Sequence, residues 1–222
     1  MWGQTMRVLQ IVLRQPVVHA EDFSALAAIQ PNLVLAFGSV DAIRQGAAAI
    51  AQAFPAAIRA GCSTAGEISE NGVEDGALVV TALHFEKTRV AQVSTVLSCM
   101  EDSFASGKRL ATGLPIGGLR AVLILGQGVQ INGSAVLSGM TEILGPRLPI
   151  TGGLAGDGSD FRHTWVMAGG TLRPGCVAAV GLYGDRLQVG SGCEGGWMDF
   201  GPERRITRSV LEVLARARHP VA

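Results

Sequence analysis

The chain has 222 residues, of which 48% are hydrophobic, and its 18 Lys and Arg balance its 18 Asp and Glu. This length predicts one domain, or two closely joined halves, with a sizeable core. The balanced charge gives no electrostatic reason to expect nucleic acid or an anionic membrane as a partner. Aromatic residues make up only 5% of the chain, so the predicted core is aliphatic.

The cysteines are far apart in the chain and form no Cys-x-x-Cys pair. This spacing argues against zinc, and we expect no metal and no cofactor. No segment reaches the roughly 18 apolar residues that a membrane span needs, and Arg7 and Arg14 interrupt any signal-peptide-like segment. These features predict a cytoplasmic protein with reduced, mostly buried thiols. The thiols are Cys62, Cys99, Cys176 and Cys193.

The first half of the chain alternates apolar runs with helical patterns. Ile43, Ala47, Ile50 and Phe54 fall on one face of a helix that Pro55 ends. The predicted elements are a strand or free arm at 8–13, a helix at 21–30, a strand at 33–37, the helix at 41–54, and strands at 77–85 and 89–97 joined as an antiparallel hairpin.

The second half repeats this alternation. Val136, Met140 and Ile143 share one face of a helix that Gly145-Pro146 terminates. The predicted elements are helices at 103–112, 132–144 and 207–218, and strands at 121–126, 148–152, 164–168, 176–183 and 186–191.

The two halves share one order of elements, which predicts an internal duplication. In each half a strand, a helix and a Gly-rich loop are followed by a strand that begins after glycine. The loops end in a Gly-acid pair, Gly66-Glu67 or Gly156-Asp157. We predict two β-α-β-β-β halves, 33–97 and 122–191.

The predicted fold class is α/β (α+β). Each half would form a sheet with a helix on one face, and stacking the bare faces on each other would bury them. This gives a four-layer α/β/β/α sandwich with mixed sheets. A single continuous mixed sheet is the alternative.

Two blocks of small residues resemble the FIST N-terminal domain. One is Gly61-Cys62-Ser63-Thr64-Ala65-Gly66-Glu67, preceded by Phe37-Gly38-Ser39 and Phe54-Pro55; the other is the Pro149–Asp157 block, followed by Gly196-Trp197 and Ile206-Thr207. The resemblance covers roughly residues 20–210 and leaves 211–222 as a C-terminal helix or tail. It implies an intracellular sensory module in signal transduction that binds a small ligand such as an amino acid.

The resemblance also implies a partner. FIST proteins usually continue into a FIST C-terminal domain, which this sequence does not contain. We expect such a domain or a signalling partner to contact the chain, and apolar surface left without it to favour a homodimer.

The Gly-rich loops are the predicted ligand site, because ligands bind at the carboxyl ends of strands in α/β sheets and glycine allows close approach to the backbone. A helix N-terminus at 39–41 or 132–134 would favour a carboxylate, and Glu67 or Asp157 an ammonium group. The same residues also fit a tight strand crossing and loop caps. The predicted site residues are Phe37, Gly38, Ser39, Cys62, Ser63, Thr64, Gly66, Glu67, Gln127, Gly152, Gly153, Gly156 and Asp157.

A second function class is a small-molecule hydrolase or transferase that uses Cys62, Ser63 or Glu67. A serine or cysteine nucleophile needs a base to activate it, and the four histidines are scattered through the chain without a motif. The sequence therefore favours a non-catalytic sensor.

Overall fold

The computed structural model describes residues 6–14 and 17–190, together with 192, 201, 209–210 and 213–214. The chain divides into a unit of residues 1–189, which carries the fold, and a unit of residues 190–222. The described residues include no helix that is both long enough and apolar enough to cross a bilayer.

The first half of the larger unit contains six strands and two helices. In chain order they are β1 (Met6–Leu13), a 3-10 turn (Ala20–Phe23) that runs into α1 (Ser24–Ala27), β2 (Leu33–Gly38), α2 (Val40–Ala53), β3 (Ile58–Ser63), β4 (Glu67–Ser69), β5 (Gly72–Glu74) and β6 (Leu78–Phe85).

The second half also contains six strands and two helices. They are β7 (Arg89–Val96), a 3-10 turn (Met100–Asp102) that runs into α3 (Ser103–Gly113), β8 (Leu119–Gly126), α4 (Gly133–Leu144), β9 (Ile150–Leu154), β10 (Val166–Ala168), β11 (Thr171–Arg173) and β12 (Cys176–Tyr183). The smaller unit contributes β13 (Ser209–Val210) and β14 (Val213–Leu214), which pair as a hairpin.

The strands of the larger unit form two mixed sheets and one small hairpin. The first sheet has the order β1-β6-β2-β3-β10-β11 and the second β7-β12-β8-β9, while β4 pairs with β5. Within the described residues, the pairs β2–β3 and β8–β9 are parallel and the other pairs are antiparallel. Each parallel pair is joined by one helix, α2 or α4, as a parallel crossover requires.

Three apolar clusters bind these elements into four layers. One lies between α2 and the first sheet and contains Ile43 and Ile50. Another lies between the second sheet and the pair α3 and α4, and contains Met140. The third joins strands of both sheets and contains Cys62 and Leu125. The predicted mixed α/β fold with an α/β/β/α sandwich is therefore confirmed.

The predicted hairpin of 77–85 with 89–97 is wrong. β6 pairs with β1 and β2, whereas β7 pairs with β12 in the other sheet. The turn at 86–88 therefore carries the chain between sheets. The local pattern could not show this, because two adjacent strands look the same whether they pair with each other or with strands distant in sequence.

Other boundaries also differ from the predictions. The run at 8–13 is a strand that pairs with β6 along its full length. Residues 186–190 of the predicted strand 186–191 are not in a strand, and the predicted helix 207–218 is wrong at 209–210 and 213–214, which are strands. Its remaining residues lie outside the described part of the chain. The hairpin of β4 and β5 was not predicted.

The strand orders β1-β6-β2-β3 and β7-β12-β8-β9 match position by position. Equivalent loops make equivalent bonds: the amide of Thr64 donates to the carbonyl oxygen of Gly38 at 2.9 Å, and the amide of Ala155 to that of Gly126 at 2.7 Å. The halves that correspond are 6–85 and 89–183, which differ from the predicted 33–97 and 122–191. This order supports the duplication, which stays a prediction.

Helices α3 and α4 approach closely through glycine, which gives a stability prediction. A Cβ at Gly139 would overlap the carbonyl oxygen of Phe104 and lie 3.1 Å from the amide nitrogen of Lys108. We expect Gly139→Ala to lower the free energy of unfolding by about 1–3 kcal/mol, because backbone atoms of α3 cannot easily move aside. Helix propensity alone would favour alanine by up to about 1 kcal/mol, so the sign of the change tests the contact.

Urea denaturation checks this prediction, with Ser138→Ala as the matched control. Ser138 is the preceding, exposed residue of the same helix, so its change should stay within about 0.5 kcal/mol. Equal or greater stability of Gly139→Ala would contradict the close approach.

Candidate functional site

Ser63, the last residue of β3, joins the two Gly-rich loops. Its amide donates to the carbonyl oxygen of Trp165 at 2.9 Å, and the amide of Gly156 donates to the Ser63 carbonyl oxygen at 2.8 Å. The amide of Trp165 donates to the Ser63 hydroxyl at 2.9 Å. Ser63 is fully buried, so its hydroxyl serves as a structural acceptor. The loop after β3 and the loop after β9 therefore lie against each other.

The buried side chain of Glu67 holds the first of these loops, the loop after β3, in place. The carboxylate is only 1% exposed and accepts two hydrogen bonds, from the Thr64 hydroxyl at 2.6 Å and from the amide of Ala77 at 3.0 Å. A buried carboxylate needs such partners to offset the loss of water. Glu67 therefore ties the loop to the start of β6.

Asp157 organises the second loop. Its carboxylate accepts hydrogen bonds from the backbone amides of Phe161, Arg162 and His163, at 3.0, 2.7 and 2.8 Å. These bonds, led by those from Arg162 and His163, lower the pKa of Asp157 below its ordinary value. We call residues 157–163 the bridging loop, because it lies between two clefts.

The first cleft, of about 590 Å³, opens where β2 and β3 end. Its walls are the first turn of α2, the loop after β3, residues 75–76 before β6, and the bridging loop. Ser39 caps α2 here, since its hydroxyl accepts from the amide of Ala42 at 3.3 Å. The position agrees with the rule that α/β sheets bind ligands at strand carboxyl ends.

Charged side chains dominate the lining of the first cleft. Arg44 and Arg162 contribute two guanidinium groups, and the Arg44 guanidinium lies 5.0 Å from the ring centroid of Trp165, a cation–π contact. Among the described residues no cluster of acidic, His or Cys side chains is arranged to hold a metal. The cleft carries five carboxylates, those of Asp41, Glu67, Asp75, Asp157 and Asp160.

Three of these carboxylates differ from Glu67 and Asp157. Asp41, Asp75 and Asp160 are exposed, and within the described part of the chain their side chains make no hydrogen bond or ion pair. Their charges remain available to a bound molecule. By contrast, the carboxylates of Glu67 and Asp157, which are the two predicted ligand contacts, already accept hydrogen bonds that hold the loops.

A second cleft, of about 610 Å³, opens where β8 ends. Gln127, Val129 and Gln130 line it after β8, and Pro174 and Gly175 line it before β12. Arg162 and His163 of the bridging loop line both clefts. Gln127, predicted in one pocket with Ser39 and Glu67, therefore lines a different cleft.

The other predicted site residues fall in several places. Ser39, Thr64, Gly66, Glu67 and Asp157 line the first cleft. Phe37 and Cys62 pack in the core between the sheets. Three of the glycines lie against backbone atoms: Gly38 against the carbonyl oxygen of Ala77, Gly152 against the backbone of Ile124, and Gly156 against the backbone of Ala65. Gly153 lies on the exposed part of β9.

The sequence interpretation missed Asp41, Arg44, Asp75, Arg162 and Trp165. Asp41 and Arg44 carried a usable signal, since they lie three residues apart in the first turns of a helix that starts at a strand end. The others depend on the bridging loop folding against the first half, which no local pattern encodes.

The structure gives neither Cys62 nor Ser63 the surroundings of an activated nucleophile. Burial raises the pKa of the Cys62 thiol to about 12, so little thiolate forms at neutral pH. The Ser63 hydroxyl is buried and engaged by Trp165. The environment of each side chain is therefore that of a residue with a structural role.

A comparison with protein-family models identifies the family of the chain. The FIST N domain model matches residues 32–215, and no curated protein matches the chain. The chain therefore belongs to the FIST family, a family of sensory domains in signal transduction.

Thiol labelling tests the surroundings of Cys62. Cys193 lies outside the described residues, so the experiment uses a Cys193→Ser background. With Ellman's reagent at pH 8, we expect the exposed Cys99 to react at once. Cys62 should react only on unfolding, since its thiolate fraction is on the order of 10⁻⁴, and burial should also protect Cys176. Rapid modification of Cys62 in the native protein would contradict its burial.

The pKa of Asp157 predicts a pH-dependent stability. Because folding lowers this pKa, the carboxylate stabilises the folded state above the ordinary Asp value of about 3.9, and the contribution is lost as pH falls through the folded pKa. We expect Asp157→Asn to be less stable than the wild type near neutral pH. The difference should shrink in acid.

Urea midpoints of the two proteins at pH 7 and at pH 3 check this expectation. Asp160→Asn removes an exposed carboxylate of the same loop and should leave the midpoint nearly unchanged at both pH values. A difference between wild type and Asp157→Asn that stays constant with pH would contradict the assigned role.

Proposed function

We propose that this FIST domain is a sensor that binds an amino acid in the first cleft, and that it favours amino acids with a basic side chain. The observation that carries the proposal is the pairing of three unpartnered carboxylates with two guanidinium groups around one opening at the ends of β2 and β3. The family's sensory role supplies the broader function.

The carboxylates support recognition of ammonium groups. Asp41, Asp75 and Asp160 come from three separate elements around the cleft, so a ligand amine has acceptors on more than one side. Hydrogen bonds between charged groups are among the strongest that proteins make. Three carboxylates carry three negative charges, whereas one α-ammonium group supplies a single positive charge, and a second cation on the ligand is therefore favoured.

The guanidinium groups support recognition of a carboxylate. Arg44 projects from α2 and is held over Trp165, and Arg162 projects from the bridging loop. The N-terminus of the 14-residue helix α2 adds positive potential at the same place. An α-carboxylate facing Arg44 and Arg162 would leave the amines of the ligand toward the aspartates.

A ligand in this position would link the two halves of the fold. Asp41, Arg44 and Asp75 belong to the first half, whereas Asp160 and Arg162 belong to the bridging loop. Contacts to both would hold the bridging loop against α2. Such ordering is a physical route by which binding changes the surface offered to a FIST C-terminal domain or another signalling partner.

A thermal-shift screen of the amino acids tests the proposal. Binding raises the stability by RT ln(1 + [L]/Kd), about 2.7 kcal/mol at a hundredfold excess over Kd. We expect the largest shifts with L-arginine and L-lysine, and smaller ones with N-acetyl-L-arginine and L-argininamide, which lack one charge each. An unchanged melting temperature with all free amino acids at millimolar concentration would refute the proposal.

Asp75→Asn tests the ammonium contacts. Losing a hydrogen bond to a charged ligand group costs about 1.5–3 kcal/mol, so the Kd for L-arginine should rise roughly 10- to 150-fold. Calorimetric titration measures this change. Glu86→Gln is the matched control, because Glu86 is exposed in the turn after β6 and does not line the cleft. Equal losses in both variants would indicate a general effect of net charge.

A further inference from the structure

The second cleft has an unused acceptor at its base. Gln127 is 8% exposed, and its amide nitrogen donates to the carbonyl oxygen of Gln130 at 3.4 Å. Its Oε1 atom accepts no hydrogen bond from the described residues and lies next to Gly175, where a Cβ would approach to 3.7 Å. The oxygen is not among the buried side-chain atoms that lack a partner, so its surface is accessible from the cleft. It can therefore accept a hydrogen bond from a molecule bound there.

The second cleft differs from the first in its charges. Among the described residues no carboxylate lines it, while Arg162 and His163 do. Leu97, Val129 and Pro174 add apolar surface, and the Phe161 side chain is 77% exposed at the rim. A cleft with a guanidinium group, apolar walls and one free amide oxygen on a buried residue fits a small molecule with complementary groups.

We propose that the second cleft is a separate binding site for a small carboxylate with an apolar body and one N–H or O–H donor. Arg162 would pair with the carboxylate, the apolar walls would cover the body, and Gln127 Oε1 would accept from the donor. An acylated apolar amino acid is the simplest molecule of this class.

The comparison of the two halves supports two different specificities. Gln127 follows β8 as Ser39 follows β2, and Pro174 precedes β12 as Asp75 precedes β6. The position that carries a free carboxylate in the first cleft is therefore apolar in the second. The matching strand orders place both clefts at equivalent ends of the sheets.

The bridging loop couples the two sites. Arg162 and His163 line both clefts, and the Asp157 carboxylate holds their backbone amides. Two carboxylate ligands would compete for the same Arg162 guanidinium, so occupation of one cleft should weaken binding in the other. This coupling, unlike the second site itself, rests on the proposed function of the first cleft.

NMR titration of the ¹⁵N-labelled full chain with N-acetyl-L-leucine tests the site. We expect amide shifts to concentrate at residues 127–130, 161–164 and 175, with a Kd of about 1 mM or below. N-acetyl-L-leucinamide keeps the shape and the donor but lacks the charge, and should bind at least about tenfold more weakly. Absence of shifts at these residues, or equal binding of the two compounds, would overturn the proposal.

A pair of variants at Pro174 confines the test to the second cleft. Pro174 is exposed and does not line the first cleft. Pro174→Glu adds a carboxylate beside the proposed anion site and should weaken the binding of N-acetyl-L-leucine at least about tenfold. Pro174→Gln introduces a side chain of nearly the same shape as glutamate but without the charge, and should retain binding. Folding is checked from the amide spectrum. If both folded variants bind as the wild type does, the site is refuted.

The coupling is measured by titrating L-arginine with and without saturating N-acetyl-L-leucine. We expect the Kd for L-arginine to rise by about fivefold or more, and the effect to vanish in Arg162→Gln. An unchanged Kd would overturn the coupling, and so would failure of L-arginine to bind at all. The second result would also refute the proposed function, while the N-acetyl-L-leucine titration would still decide the second site.

Discussion

The hydrogen bonds of Ser63 are the constraint on which the site depends. This one buried residue forms hydrogen bonds with Gly156 and Trp165 from the second half of the chain. Its hydroxyl oxygen accepts from the amide of Trp165, where a backbone carbonyl would otherwise do so. Breaking either contact would leave a buried polar group unpaired, at about 1–3 kcal/mol each. The two halves are thereby held in one register, and the bridging loop that follows Gly156 must lie beside α2.

Beneath this joint, small side chains let the two sheets close on each other. Ala60, Cys62, Ala155 and Ala178 all belong to the core between the sheets. Larger side chains such as Leu33, Leu125 and Phe37 pack among these small residues and fill the space between the sheets. The high pKa of Cys62 follows from this burial, and its place in the FIST motif reflects packing.

Equivalent positions in the two halves differ in charge. The first cleft gathers carboxylates such as Asp75, while the corresponding position of the second cleft is Pro174. Among the described residues, Arg162 and His163 alone line both clefts. A sensory domain built in this way has two openings of different chemistry separated by one ordered loop, and Asp157 keeps that loop ordered by holding three of its amides.

The sequence by itself determined the elements whose signals are local. The helical face of Ile43 and Ile50 and the apolar runs of β2 and β8 predicted the layers, and the Gly-acid ends of both loops pointed to the part of the fold where the first cleft lies. Only the tertiary structure decided which strands pair and which charges meet. β7 joins β12 because sheet pairing connects residues far apart in the chain, and Glu67 turns inward while Asp75 faces the cleft because neighbouring loops supply or withhold partners.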